Sequence, residues 1–124
     1  MMGRHMHIEQ AQVWLIEFYP NVGSEIAKRR PGLVVSHDAI GRLPLKTVVP
    51  ITDWKEQYED YPWMVKVKHH SSNGLEKLSA IDCFQIKNLS HERFVEKLGK
   101  VDADLLQKVH TTIVKTLNPM YAIR

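Results

Sequence analysis

Cysteine is almost absent from this chain: Cys83 stands alone among 124 residues. A lone thiol excludes an intramolecular disulfide framework and a cysteine-based structural zinc site. Long apolar runs are missing too; none approaches the roughly 20 residues that a membrane-spanning helix needs. Neither sign of charge dominates. Seventeen Lys and Arg against fourteen Asp and Glu leave +3 with neutral histidines. That mildly basic balance permits a nucleic-acid partner without requiring one. No internal repeat, low-complexity tract or linker interrupts the chain, whose length fits one domain. What remains is 44% apolar and 25% charged residues, the profile of a soluble, intracellular type of globular protein with chain enough to bury one core.

Met1-Met2-Gly3-Arg4-His5-Met6-His7 carries a base but no apolar stretch after it, so it is not a signal peptide. The expected division is a tail over residues 1–10, a single domain over 11–118 and a short tail over 119–124. Val13 to Tyr19 is β-branched and aromatic and is stopped by Pro20, which predicts a strand. Asn21 to Pro31 predicts a long polar loop, and Gly32 to Ser36 a second strand apolar enough to be buried on both faces. Thr47 to Thr52 predicts a third, with Pro50 at an edge, a bulge or the strand end because it has no N–H to donate. Asp53 to Tyr61 reads as a loop or a single helical turn. Trp63 to Lys68 alternates, with Trp63, Val65 and Val67 on one face, and Ser71-Ser72-Asn73-Gly74 marks a turn. Leu78 to Ile86 predicts a fifth strand and Ser90 to Arg93 one helical turn; Phe94 to Val101 fits either a strand or a short helix. Leu105, Leu106, Val109, Ile113, Val114 and Leu117 share one helical face, with Asp102 placed to cap the first turn and Asn118-Pro119 to end it. Five or six short strands followed by one helix predict a mainly β fold, a small antiparallel barrel with a packed helix.

One residue stands out on chemistry alone. Arg30 precedes Pro31, which biases its backbone toward an extended form. Its planar guanidinium offers five donors in a fork that matches phosphate oxygens, and it keeps its charge at neutral pH. Glu25 lies five residues earlier in the same polar segment. A carboxylate there can accept from a base edge, take up a proton or hold the arginine. Lys28, Arg29 and Arg30 are equally readable as a solvated charge run. Thr52 closes the third strand, where a hydroxyl can donate to a phosphate oxygen, although a bare threonine there reads first as structural.

Three blocks in order carry a resemblance. Trp14-Leu15-Ile16, Phe18, Pro20, Gly23-Ser24-Glu25 and Arg30-Pro31-Gly32-Leu33-Val34-Val35-Ser36 form the first. Val48-Val49-Pro50-Ile51-Thr52 is the second. Asp82-Cys83-Phe84-Gln85-Ile86-Lys87, Arg93-Phe94 and Lys97-Leu98-Gly99-Lys100-Val101 form the third. Together, over residues 11 to 117, they resemble the MazF/PemK toxin family, the endoribonucleases of bacterial toxin–antitoxin pairs. The resemblance implies an SH3-like small β-barrel of the CcdB/PemK/MazF type with a C-terminal helix, and with it a strand over most of Phe94 to Val101. It implies a cytoplasmic homodimer whose partners are single-stranded RNA and a cognate antitoxin protein, with no cofactor, metal or membrane. Cleavage would proceed by 2′-OH attack, leaving a 2′,3′-cyclic phosphate and a 5′-OH. The family's catalytic arginine corresponds to Arg30, its catalytic threonine to Thr52, and its loop glutamate to Glu25. Lys28, Arg29, Gln85, Trp54 and Lys55 are the expected RNA contacts. A binding module on the same barrel, like the CcdB toxins that act on DNA gyrase, is the alternative; it does not need the Arg30 and Thr52 pair.

The chain departs from the family at two places. Ala11-Gln12 stands where many members have Gly and an acidic residue. Asp82-Cys83-Phe84-Gln85 stands where some PemK-type members have Arg-Cys-Asp-Gln, so Asp82 reverses one charge and Phe84 removes the other. Histidine is plentiful, yet His69 and His70 would face opposite ways on a strand, and His37, His91 and His110 show no ligand spacing. Cys83 in an apolar strand behaves as a small hydrophobe. Trp54, Tyr58, Tyr61 and Trp63 suit base stacking or an amphipathic antitoxin segment, and equally suit core and loop anchoring.

Overall fold

Two interleaved apolar sets run through the first strands, and each lines one face of a sheet because successive side chains point to opposite sides. Val13, Leu33, Val35, Val49 and Ile51 form one set, packed with Val65, Val67, Ile81, Cys83 and Val109. Trp14, Ile16, Phe18, Val34 and Val48 form the other, closed by Phe94 and Leu89. Ile8, inside the segment expected to be tail, is buried in this second cluster.

The computed structural model describes residues 7–19, 28–41, 43–118 and 120. Among them run strands β1 (Gln12–Tyr19), β2 (Lys28–Val34) and β3 (Leu45–Asp53), then a 3-10 turn at Glu56–Asp60. β4 (Met64–Val67), β5 (Ser79–Asp82) and β6 (Lys87–Ser90) follow. A 3-10 turn at His91–Arg93 leads into β7 (Phe94–Lys100), and the helix α1 (Ala103–Leu117) comes last. The sheet order is β4-β5-β3-β2-β1-β7, with β6 also paired to β3, and every pairing is antiparallel. The fold is therefore mainly β with a C-terminal helix, as expected. Phe94 to Lys100 is strand, as the resemblance implied.

Three local features shape the sheet. Pro50 is buried in β3, away from any edge of the sheet. On one side it faces Gly32; on the other, β3 changes partner around it, from β6 over Leu45–Val48 to β5 over Ile51–Asp53. A residue without an N–H fits that gap. Gly32 is required because a Cβ there would sit 2.7 Å from Ile16 Cδ1 and 2.8 Å from Phe18 Cζ. The sheet also curls until its ends meet: the β4–β5 turn lies on β7, where Lys100 N–H donates to Ser72 O at 2.9 Å.

The helix lies on the face of the first cluster. Leu105, Leu106 and Ile113 pack there beside buried Val109 and Thr112, and His110 Nε2 lies 2.8 Å from Val35 O. Leu117, expected on the same face, is 76% exposed because the last turn runs past the sheet. Asp102 caps the helix by accepting from Leu105 N–H at 2.8 Å, and Asn118 ends it in the left-handed conformation.

Candidate functional site

The sheet face opposite α1 carries the candidate residues. β2 begins at Lys28, four residues before the expected strand, because Lys28, Arg29 and Arg30 are drawn into the ladder with β1 as partners of Tyr19, Glu17 and Ile16. The run of three cations is thus strand rather than loop, and its side chains alternate. Arg30 shares its face with its partner Ile16 and with Gly32, over the second apolar cluster. Arg29 faces the other way, and its Nη2 pairs with Glu17 Oε1 at 2.9 Å. Lys28 returns to the Arg30 face.

Arg30 is half-buried, and its Nε is buried with no hydrogen-bond partner among the described residues. A guanidinium N–H shielded from water in this way is an unmet donor, and such groups are scarce because leaving one unmet costs about 1–3 kcal/mol. The β2–β3 ladder stops at Gly32 and Pro50, where Pro31 and Pro50 have no N–H to extend it. Two residues further along the same register, Arg30 falls opposite Thr52. Thr52 is half-buried and pairs with Ala80 of β5 on its other side. Arg30 and Thr52, 22 positions apart in the chain, are thereby brought to one side of the sheet from neighbouring strands. Glu25 lies outside the described residues.

Gln85 is in the turn between β5 and β6 rather than in a strand, since β5 ends at Asp82. Its Nε2 donates to Asp82 Oδ2 at 2.8 Å, while Asp82 Oδ1 accepts from Phe84 N–H at 3.1 Å. The amide therefore holds the turn. Burial, with the Asp82 carboxylate adding to it, pushes the Cys83 thiol up to about 12, so it stays protonated at neutral pH. Trp54 follows Thr52 by two residues, and Lys66 Nζ sits 4.6 Å from its ring centroid. Trp54, Tyr58, Tyr61, Trp63 and Phe84 make a chain of ring contacts, the closest a stacked Tyr61–Trp63 pair at 4.8 Å. These rings chiefly anchor the β3–β4 connection to the β5–β6 turn. Lys55 is exposed beside them.

Two residues join the face without a sequence signal. The register slips between Glu17 and Tyr19, and Phe18 is the extra residue. A bulge of this kind re-aims the next side chain, so Tyr19 shares the face of its partner Lys28. Lys87 pairs with Val48, which pairs with Val34, so it faces the same way. Its Nζ lies 4.2 Å from the Tyr19 ring centroid. Lys28, Arg30 and Lys87 are thus among the cations on this face, drawn from two strands that are far apart in sequence; by register Lys46, Lys66 and Lys97 share it.

Comparison with known proteins agrees with this fold. The family model described as PemK-like, MazF-like toxin of type II toxin-antitoxin system matches residues 9–117. Endoribonuclease MazF9 of Mycobacterium tuberculosis is 28% identical over 102 residues, covering 77% of this chain and 84% of that protein. Endoribonuclease EndoA of Bacillus subtilis is 27% identical over 104 residues, covering 84% and 89%. A MazE-MazF crystal structure (Form-II) from Deinococcus radiodurans superimposes with a TM-score of 0.75 at 25% identity, covering 94% of this chain and 100% of that one.

Proposed function

The chain belongs to the PemK-like, MazF-like toxins of type II toxin–antitoxin systems, and from that premise we propose that it cleaves single-stranded RNA with Arg30 and Thr52 as its reacting-site donors. The observation that carries the proposal is the shielded Arg30 Nε, unpartnered among the described residues, on the face that the register shares with Thr52. In-line attack by a ribose 2′-OH forms the new O–P bond, breaks the P–O5′ bond and loads negative charge on the non-bridging oxygens. The 2′ proton leaves to a base, and the departing 5′ oxygen gains a proton. Arg30 and the Thr52 hydroxyl are donors fixed in place before the charge develops, the arrangement that lowers such barriers most. Arginine holds its proton too firmly to be an efficient acid, so its part is electrostatic. Glu25 is the proposed proton acceptor. The products are a 2′,3′-cyclic phosphate and a 5′-OH.

Lys28 is the proposed RNA-backbone contact nearest Arg30, with Arg29, Gln85, Trp54 and Lys55 as peripheral ones. The protein acts as a homodimer in the cytoplasm and is silenced by a cognate antitoxin. No described helix is long and apolar enough to cross a membrane. The test is incubation of purified protein with single-stranded RNA in EDTA, with products mapped by sequencing and end-group analysis. Wild type should leave cyclic-phosphate ends, and Arg30→Ala should slow cleavage about 10²–10³-fold while the circular dichroism stays unchanged. Intact RNA after long exposure to folded wild type would overturn the proposal and favour a toxin that binds a protein target.

A further inference from the structure

A large aromatic ring left 45% exposed on a cationic sheet face calls for an explanation, and Tyr19 is such a ring. It reaches that face only because Phe18 is inserted as an extra residue; without the slip, Tyr19 would follow Glu17 onto the next row. Lys87 arrives from β6, a strand that pairs with β3 and not with β1, and places its ammonium 4.2 Å from the ring centroid. Lys28 stands directly across from Tyr19. The ring is thus framed by two cations and lies two residues along β2 from the row of Arg30.

We propose that Tyr19 and Lys87 form a nucleotide subsite flanking the scissile phosphate, the ring stacking on a base and Lys87 pairing with that nucleotide's phosphate. This rests on the nuclease reading of Arg30 and Thr52. The chemistry matches single-stranded nucleic acid, which is gripped by alternating aromatic platforms and backbone cations. The cation on the ring holds it in one orientation in the free protein, so little side-chain freedom is lost when a base stacks. Stacking accepts any base, so the subsite supplies affinity and register along the strand, and base selection must come from elsewhere on the face.

The test is steady-state cleavage of a fluorescent single-stranded RNA of mapped cut site, at several salt concentrations. Tyr19→Ala should raise KM about tenfold or more with kcat little changed, because a stacked base contributes roughly that much binding. Tyr19→Phe keeps the ring and should restore KM. Lys87→Gln should weaken binding and flatten the dependence of log binding on log salt by roughly 0.7, the loss of one phosphate contact on a single strand. Thermal melts of each variant separate a binding loss from a folding loss, and if Tyr19→Ala melts early, the Lys87→Gln salt slope decides. Cleavage by wild type together with unchanged KM in Tyr19→Ala, or an unchanged salt slope in Lys87→Gln, would overturn the subsite alone. Failure of wild type to cleave any RNA would overturn the nuclease reading and the subsite with it.

Discussion

Ala11 shows how one side chain can strain a well-made sheet. It holds φ at +76°, a left-handed backbone conformation that costs an L-residue roughly 1 kcal/mol and glycine nothing. The position is fixed from both sides, since Ala11 N–H donates to Val34 O and Ala11 O accepts from Val101 N–H, each at 2.9 Å. Ala11→Gly should therefore raise stability by up to about 1 kcal/mol, read as a higher denaturant midpoint with an unchanged slope. His91 gives a pH signature. Burial, and then the nearby Lys46 charge, lower its pKa from the usual 6.5. Protonation thus favours the unfolded chain, so stability is full above about pH 6.5 and falls as the pH drops toward the lowered value. His91→Gln should remove that part of the acid slope in melts between pH 7 and 5. Arg30 was legible from its chemistry and from the neighbouring Pro31-Gly32. The opposite orientation of Arg29 was not, because two adjacent cations look alike until a strand ladder sets them on opposite faces.

At the scale of elements, α1 was the most legible. Apart from exposed Leu117, its apolar spacing, its Asp102 cap and its Asn118 stop act as the residues predicted. β2 was the least legible, since Lys and Arg have weak strand preference and only pairing with β1 makes Lys28 to Arg30 extended. The turn after β4 was legible as a turn, but its internal bracing was not. Asn73 is buried at 6% exposure; its Oδ1 accepts from His70 and Leu75 N–H, and its Nδ2 donates to Lys68 O at 2.9 Å. Asn73→Ala should cost about 3 kcal/mol, the sum of those bonds at roughly 1 kcal/mol each, and lower the melting temperature accordingly.

For the whole molecule, the decisive event is the meeting of the sheet's two ends. The turn between β4 and β5 rests on β7 so closely that a Cβ on Gly99 would collide with the Ser72 carbonyl and the Asn73 backbone. Neither neighbour is a flexible side-chain tip, so the turn would have to lift away. Gly99→Ala should destabilise the fold by about 3 kcal/mol, seen as a lower denaturant midpoint. It should leave the isolated helical signal of α1 in circular dichroism below the transition. Net charge belongs to this scale as well. The surplus of +3 is small, yet the fold sets Lys28, Arg30 and Lys87 on one face, while Arg29, Lys66 and Lys77 pair with carboxylates.

The residue order by itself determined a mainly β chain closed by a capped helix, the family resemblance, and Arg30 and Thr52 as the pair to watch. These follow from local periodicity, turn chemistry and motif spacing, all of which are written along the chain. Only the tertiary structure decided which cation faces the site, where Gln85 sits, and that Tyr19 and Lys87 meet. Those outcomes depend on register, and register is set by one inserted residue at Phe18 and by pairings between strands distant in sequence. A single slip reverses the face of every side chain beyond it.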